Sequence, residues 1–314
     1  MPIVWRWQPA IERGPARLYA ATDMIDPAPE ALAASLTTLL DVEEIDVDLF
    51  RGARQPGGEG RVFGGQVIAQ GLQSAQRSTE GDKVAHSLHA YFMRPGDEEH
   101  PIVFRVVRDF EGRSFATRRV IATQRGQPIL NMACSFQRPE QGLAHQDAMP
   151  AVPPPEDLAD ERTTRLAMAE RLPPAARTVL LRPRPIEVRP VDPRDWIDPE
   201  RGEPVQHLWF RLCAPIADDP AMHRAVLAYA SDLGLLSTGL IPHGVGWMHP
   251  RMQVASLDHS LWLHEPFRAD EWLLYAMHSP WAGHARDFGR GSIFTRDGRL
   301  VASVAQEGLI RQRD

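Results

Sequence analysis

VASLDHSLWLHEP, at residues 254–266, and VAHSLHAYFMRP, at residues 84–95, are related stretches that decide the fold of this 314-residue chain. Both begin Val-Ala, and His89 aligns with His259 at an offset of 170 positions. Both are rich in the aromatic and branched residues that favour strands. The pair therefore indicates that one structural unit occurs twice in the chain.

A second pair of stretches extends the repeat. TQRGQPILNMACSFQR, at residues 123–138, resembles TRDGRLVASVAQEGLIR, at residues 295–311, and Gly126 aligns with Gly298 at an offset of 172. Each stretch has a glycine-containing turn signal between apolar segments, which predicts a β-hairpin. Matching order and a nearly constant offset make a degenerate internal repeat the best interpretation.

Each repeat unit also begins with a helix candidate, FGGQVIAQGLQSAQRS at residues 63–78 and RAVLAYASDLGLLSTGL at residues 224–240. Strand candidates follow at 84–94, 101–109, 113–124 and 128–137, then at 252–264, 271–278, 284–295 and 299–311. A helix followed by an antiparallel meander predicts an α+β unit in which the sheet wraps around the helix. Two such units predict an intramolecular pseudo-dimer.

The second helix candidate carries a carboxylate, Asp232, near its centre. Apolar residues cover most of the helix circumference, which is typical of a buried helix. Burial disfavours the charged form of a carboxyl group, so we expect Asp232 to have a raised pKa. The residues alone leave two interpretations open, a satisfied core carboxylate and a catalytic base.

Composition divides the rest of the chain. Residues 1–30 are dotted with proline and lack periodicity, so we interpret them as an N-terminal extension, with disorder as one reading. Residues 31–138 form the first repeat and residues 186–314 the second. Residues 139–185 are Pro-rich, and proline suits a connector better than the core of a sheet. We expect one helix in this connector, near residues 160–171.

Bulk properties exclude several classes of protein. The formal net charge of −6 and the absence of long Lys or Arg runs argue against a nucleic-acid partner. The sequence contains no stretch of 18 apolar residues, so we predict no membrane span. The N-terminus lacks the features of a secretory signal. Two cysteines, Cys134 and Cys213, are too few for a disulfide framework and favour a cytoplasmic protein.

Several linked motifs resemble the acyl-CoA thioesterase II family. They are VFGGQVIAQGL (62–72), HSLHAYFMRPGD (86–97), PIEVRPVDP (185–193), YASDLGLL (229–236), IPHGVGW (241–247), DHSLWLHEPF (258–267), EWLLYA (271–276) and VASVAQEGLIR (301–311). The resemblance covers roughly residues 38–314 in colinear order. It implies a double hotdog fold, in which two antiparallel sheets each wrap around a central helix and a Pro-rich linker joins them. It also implies hydrolysis of fatty acyl-CoA and a homo-oligomer, either dimer or tetramer.

The resemblance implies three catalytic residues around one water. The family's Asp, in YASD, is Asp232; its hydroxyl is Ser256, where some relatives have Thr; and its Gln, before Glu-Gly, is Gln306. A carboxylate can accept a proton from water, and an amide can orient water without titrating. Direct attack by this water requires no covalent intermediate and no cofactor.

The repeat alignment suggests that this polar trio occurs once per pseudo-dimer. The aligned positions in the first repeat hold Gly64, His86 and Cys134, so we expect the first repeat to contribute other parts of the site. Glycine permits close approach of a ligand, and the N–H groups at a helix start are free. The N–H of Gly64 or Gly65 is therefore a candidate oxyanion donor, and His86 is a candidate lining residue.

Other chemistries find less support in the sequence. Asp258, His259 and Ser260 are consecutive on a strand, so their side chains cannot converge as a hydrolase triad. The histidines do not show the spacing of a metal site, and we expect no metal. Two alternative functions remain, an acyl-CoA hydratase or dehydratase on the same fold and a non-catalytic acyl-CoA sensor.

Overall fold

The computed structural model describes residues 27–55, 58 and 60–313. Helices in this part of the chain are α1 (Pro29–Leu40), α2 (Gly64–Arg77), α3 (Glu161–Ala169), α4 (Pro174–Leu180), α5 (Pro220–Ala230) and α6 (Leu235–Leu240). Strands of the first half are β1 (Val42–Asp46), β2 (Leu49–Gly52), β3 (Val84–Phe92), β4 (Ile102–Glu111), β5 (Phe115–Gln124) and β6 (Gln127–Gln137). Those of the second half are β7 (Ile186–Pro190), β8 (Val205–Leu212), β9 (Met252–Ser256), β10 (Asp258–Leu263), β11 (Leu273–Gly283), β12 (Arg286–Thr295) and β13 (Leu300–Gln312). Most of the predicted N-terminal extension, residues 1–26, lies outside the described residues.

The strands form one antiparallel sheet, in the order β1-β2-β4-β5-β6-β3-β10-β13-β12-β11-β8-β7, with β9 pairing on β13. Read outward from the central β3–β10 pair, the two halves have matching connections. The two predicted sheets are thus continuous with each other, because β3 pairs with β10 through the register Leu88↔Leu261. This pairing satisfies backbone groups that either half alone would leave exposed at a sheet edge.

Helix α2 lies in the concave face of the first half and packs against α5. Its residues from Gly65 to Ala75 are all buried, including three glutamines, because the sheet covers one side and helices cover the other. The Gln70 side-chain amide donates to the carbonyl oxygens of Leu39 and Ala53, at 2.6 and 2.9 Å. These bonds tie α2 to the elements that precede it and fix where its N-terminus lies.

The predicted helix over residues 224–240 is wrong in one respect, since the structure divides it into α5 and α6. Gly234 has a left-handed φ of 81°, which ends a helical run at little steric cost. The phenolic O–H of Tyr275 donates to the Ser231 carbonyl at 2.8 Å, so this backbone acceptor is satisfied within the break. Asp232 therefore lies in a turn between two helices instead of within one.

The helical segment Pro220–His243, which includes this turn, is long and apolar enough to cross a membrane by length and composition alone. Most of it is buried inside the fold. Its apolar character is that of a core helix in a globular protein.

The connector packs against the second half of the sheet. The Trp209 indole N–H donates to the Pro153 carbonyl oxygen at 2.9 Å, and Met168 and Leu180 form a small core with Trp196. A Cβ on Gly246 would lie 1.9 Å from the backbone oxygen of Trp196, so the chain approaches itself there at a distance that only glycine permits. The connector thus has packed structure despite its proline content.

Candidate active site

A buried carboxylate, Asp232, is the centre of a small polar cluster. Its side chain is 5% exposed, and its Oδ1 accepts a hydrogen bond from Gln306 Nε2 at 2.7 Å. Ser256 Oγ lies 3.4 Å from the same oxygen. The structure thus brings together three side chains that are 24 to 74 positions apart in the sequence.

Three elements of the second half position this cluster. Asp232 comes from the α5–α6 turn, Ser256 is the last residue of β9, and Gln306 faces inward from β13. Strand β9 pairs with β13 so that Ser256 lies opposite Gly308, two residues beyond Gln306. The Gln306 amide oxygen, Oε1, is buried and has no hydrogen-bond partner among the described residues, so it is an acceptor available to a ligand or water.

The surroundings raise the basicity of Asp232. Loss of solvation on burial raises the pKa of this carboxyl group to about 6, although hydrogen bonds from Gln306, the Gly65 N–H and Ser256 act in the opposite direction. The carboxylate is therefore largely ionised at neutral pH, and it is a stronger base than an exposed aspartate.

The start of helix α2 meets this carboxylate from the first half of the chain. The Gly65 N–H donates to Asp232. A Cβ on Gly64 would lie 2.6 Å from Asp232 Oδ2, and one on Gly65 would lie 2.3 Å from the Tyr229 carbonyl oxygen. Of the two predicted oxyanion donors, the Gly65 N–H is thus engaged by Asp232, which leaves Gly64 as the candidate.

The structure does not bring His86 to the cluster. Its Nε2 lies 2.9 Å from Ser135 Oγ, and its ring packs edge-on against the exposed side chain of Phe115. The alignment of His86 with Ser256 was off by one residue. The register between β3 and β6 shifts at His86, between Ala85 and Ser87. In the second half, the register along β13 shifts at Leu257, between β9 and β10. His86 is therefore equivalent to Leu257, and the position equivalent to Ser256 is Ala85.

Comparisons with known proteins identify the family of the chain. A family model described as acyl-CoA thioesterase N-terminal domain matches residues 53–137, and one described as acyl-CoA thioesterase matches residues 184–309. Human acyl-coenzyme A thioesterase 8 is 41% identical over 297 residues, which cover 92% of each protein. The chain belongs to the acyl-CoA thioesterase family.

Solved structures confirm the fold of this thioesterase. Acyl-CoA thioesterase II TesB2 from Mycobacterium marinum is 43% identical, with a TM-score of 0.73 over 89% of this chain and 99% of that one. A hot dog fold protein from Alicyclobacillus acidocaldarius has a TM-score of 0.71 over the same shares at 19% identity, a likeness of fold alone. The double hotdog prediction is confirmed, and the chain is a hydrolase of acyl-CoA thioesters.

The thioesterase holds one further residue at its site that the sequence reasoning missed. His259 is fully buried on β10, and its Nδ1 lies 3.9 Å from Asp232 Oδ1. The available signal was strand alternation, because His259, Leu261 and Leu263 share the buried face of β10. Asp258 accepts from the Glu307 N–H and Ser260 bonds to His89, so the three consecutive residues do not form a triad, as predicted.

A second buried carboxylate, Asp287, lies on β12 opposite Gly308. Neither of its oxygens has a hydrogen-bond partner among the described residues. Burial raises its pKa to about 7, and the nearby charge of Glu307 adds to this effect. Because the folded pKa lies above the unfolded value, the free energy of unfolding decreases as the pH rises from about 4 to 7.

We therefore expect Asp287→Asn to stabilise the thioesterase above neutral pH. The expected gain in Tm at pH 8 is roughly 2–6 °C, and it should shrink at pH 5, where the wild-type carboxyl is already neutral. Asp270→Asn is the matched control, since the Asp270 side chain is only 3% exposed but accepts from Arg268, so this variant should lose stability. Equal changes for Asp287→Asn at both pH values would contradict the assignment. Thermal unfolding measures both variants.

The described residues contain one group of side chains that could offer three ligand atoms to a cation. The ligand atoms of Asp97, Glu99 and His100 lie within 4.8 Å of one another. Asp97 already accepts from the Glu99 N–H and pairs with His100. This partly exposed group shares no residue with the Asp232 cluster, and the expectation that the thioesterase needs no metal stays a prediction.

Proposed function

We propose that the thioesterase hydrolyses fatty acyl-CoA to fatty acid and CoA by direct attack of one water held by Asp232, Ser256 and Gln306. The observation that carries the proposal is the convergence of Ser256 Oγ and Gln306 Nε2 on one carboxylate oxygen of a buried aspartate. These bonds hold Asp232 in one orientation. The unpartnered Gln306 Oε1 beside it supplies a second acceptor for the same water.

The proposed reaction begins with loss of a proton from the water to Asp232. A water whose two O–H groups face Asp232 and Gln306 Oε1 presents a lone pair to the thioester carbonyl carbon, so little orientational freedom is lost in the transition state. The Gly64 N–H at the start of α2 donates to the oxyanion that develops on the carbonyl oxygen. As the C–S bond breaks, the proton on Asp232 passes to the CoA thiolate and restores the carboxylate.

The site gives less support to a hydratase or dehydratase. That chemistry requires an acid and base pair beside the reacting carbons, usually with a histidine. Burial lowers the pKa of His259 to about 3, so this imidazole is neutral at physiological pH and cannot serve as a general acid. A non-catalytic sensor would leave the convergence of three water-binding groups without a purpose.

The proposal also includes the location, assembly and cofactor requirement of the protein. The thioesterase acts in the cytoplasm, forms a homo-oligomer and requires no cofactor.

Free thiol release from acyl-CoAs of increasing chain length tests this function, and Ser256 supplies the informative variants. We expect Ser256→Ala to lower kcat by about 10- to 10²-fold, because a hydrogen bond to a charged group is lost. Ser256→Thr restores the hydroxyl and should recover most of that loss. Ser260→Ala is the matched control, since Ser260 lies on the next strand and bonds to His89 instead.

Two outcomes would count against the proposal. No thiol release from any chain length would remove the fatty acyl-CoA assignment. Equal activity of Ser256→Ala and wild type would remove Ser256 from the water site.

A further inference from the structure

Among the described residues, the imidazole of His259 has one hydrogen-bond partner and one unpartnered nitrogen. It is fully buried, and its Nε2 lies 2.9 Å from Ser231 Oγ. Its Nδ1 has no hydrogen-bond partner among the described residues and faces Asp232 Oδ1 at 3.9 Å. The site therefore contains a buried, unpartnered polar atom 3.9 Å from the Asp232 carboxylate that the proposed reaction has not used.

The hydrogen bonds around Ser231 determine which ring nitrogen of His259 carries the proton. Ser231 Oγ lies 2.9 Å from the Ala228 carbonyl oxygen, which can only accept, so the single hydroxyl proton of Ser231 points there. The His259 Nε2 must then carry hydrogen in order to donate to Ser231 Oγ. Because the buried imidazole is neutral, Nδ1 is left with a bare lone pair directed toward Asp232.

A lone pair in this place favours only one protonation state of Asp232. When the carboxylate is ionised, it and Nδ1 are both acceptors and cannot bond to each other, in keeping with their 3.9 Å separation. When Asp232 has taken a proton, its O–H can donate to Nδ1 after a small closing movement. A hydrogen bond that forms only after proton uptake stabilises the transition state more than the ground state.

We propose that His259 is a positioning residue whose Nδ1 accepts the hydrogen bond of protonated Asp232 during turnover. The inference rests on the proposed role of Asp232 as base. Water loses its proton to Asp232 as the C–O bond forms, and that proton is held against Nδ1 in the tetrahedral intermediate. Collapse of the intermediate breaks the C–S bond and transfers the same proton to the thiolate, while His259 keeps its own proton on Nε2 throughout.

Two amide variants separate this role from a structural one. Asparagine places a polar atom where Nδ1 lies, and glutamine places one where Nε2 lies, so each keeps a different half of the imidazole. We expect His259→Gln to lower kcat by about 10- to 10²-fold with little change in KM. This is the effect expected when one hydrogen bond to a charged or reacting group is lost. His259→Asn should recover at least about tenfold of that loss, although it lacks the contact with Ser231.

The reverse order, with glutamine active and asparagine impaired, would show that His259 acts through Ser231 and would overturn the proposal. Wild-type kcat in both variants would also overturn it. If the variants fail to fold, ¹⁵N NMR of the wild-type imidazole decides, since the Nε2–H tautomer is required and the Nδ1–H tautomer contradicts it. Asp232→Asn in the same assay separates the two proposals. Full activity of Asp232→Asn would contradict the role of Asp232 as the base, and with it both proposals. An inactive Asp232→Asn together with a fully active His259→Gln would contradict only the role of His259.

Discussion

Asp232→Asn should lower kcat of the thioesterase by about 10²–10⁴-fold, which is the range expected for loss of a general base. Asparagine has nearly the same shape and can still accept from Gln306 and Ser256 through its oxygen, so the fold should persist. What it lacks is the capacity to take a proton from water. Thiol release from a saturating acyl-CoA measures the loss, and circular dichroism checks the fold.

The same carboxylate predicts the acidic limb of the pH profile. The pKa of Asp232 is raised to about 6, so kcat/KM of the wild type should fall as the pH drops through that value and the base becomes protonated.

The matched control for Asp232→Asn is Asp258→Asn. Asp258 is a half-buried carboxylate nearby that accepts from the Glu307 N–H, and an asparagine oxygen can keep that bond. An Asp232→Asn variant with near wild-type kcat would contradict the assignment of the base.

Gly65→Ala should impair both catalysis and stability through one methyl group. The new Cβ would lie 2.3 Å from the Tyr229 carbonyl oxygen, a backbone atom of α5 that cannot turn aside. Helix α2 must therefore move away from α5, and the Gly65 N–H moves away from Asp232. We expect kcat to fall by about 10²-fold, since displacements of about 1 Å at a site have this effect. Overpacking should lower the free energy of unfolding by about 1–3 kcal/mol.

Gly71→Ala is the matched control on the same helix. Its Cβ would meet the terminal methyl of Met132 at 2.8 Å, and the end of a methionine side chain can rotate aside. Alanine also favours a helix interior over glycine by about 1 kcal/mol. This variant should keep its activity and its Tm, or gain stability. If Gly65→Ala behaves like Gly71→Ala in thiol release and thermal unfolding, close approach at the start of α2 is not required for the site.

Much of the fold could be predicted because its signals are local. Helix α2 and strands β3 to β6 were expected within a few residues of where they lie, since alternation and turn glycines mark them directly in the sequence. The break after Ala230 was not predicted, because apolar residues continue on both sides of it and glycine is tolerated within helices. Strands β1, β2, β7 and β8 were also not assigned; β1, β2 and β7 have only four or five residues each, and β8 lacks a regular alternation of buried and exposed positions.

By itself, the sequence determined which residue types are present and how often they recur. The resemblance to a known family, carried by local motifs, selected Asp232, Ser256 and Gln306, and the repeat alignment indicated that this polar set occurs only in the second half of the chain. Only the tertiary structure decided which groups lie next to the Asp232 carboxylate. The Gly65 N–H reaches Asp232 from 167 positions away, and His259 directs Nδ1 at the same carboxylate across the α5–α6 break. Such contacts depend on how sheet and helices pack in three dimensions, and a periodicity along the chain encodes the face a side chain occupies but not the group it meets there.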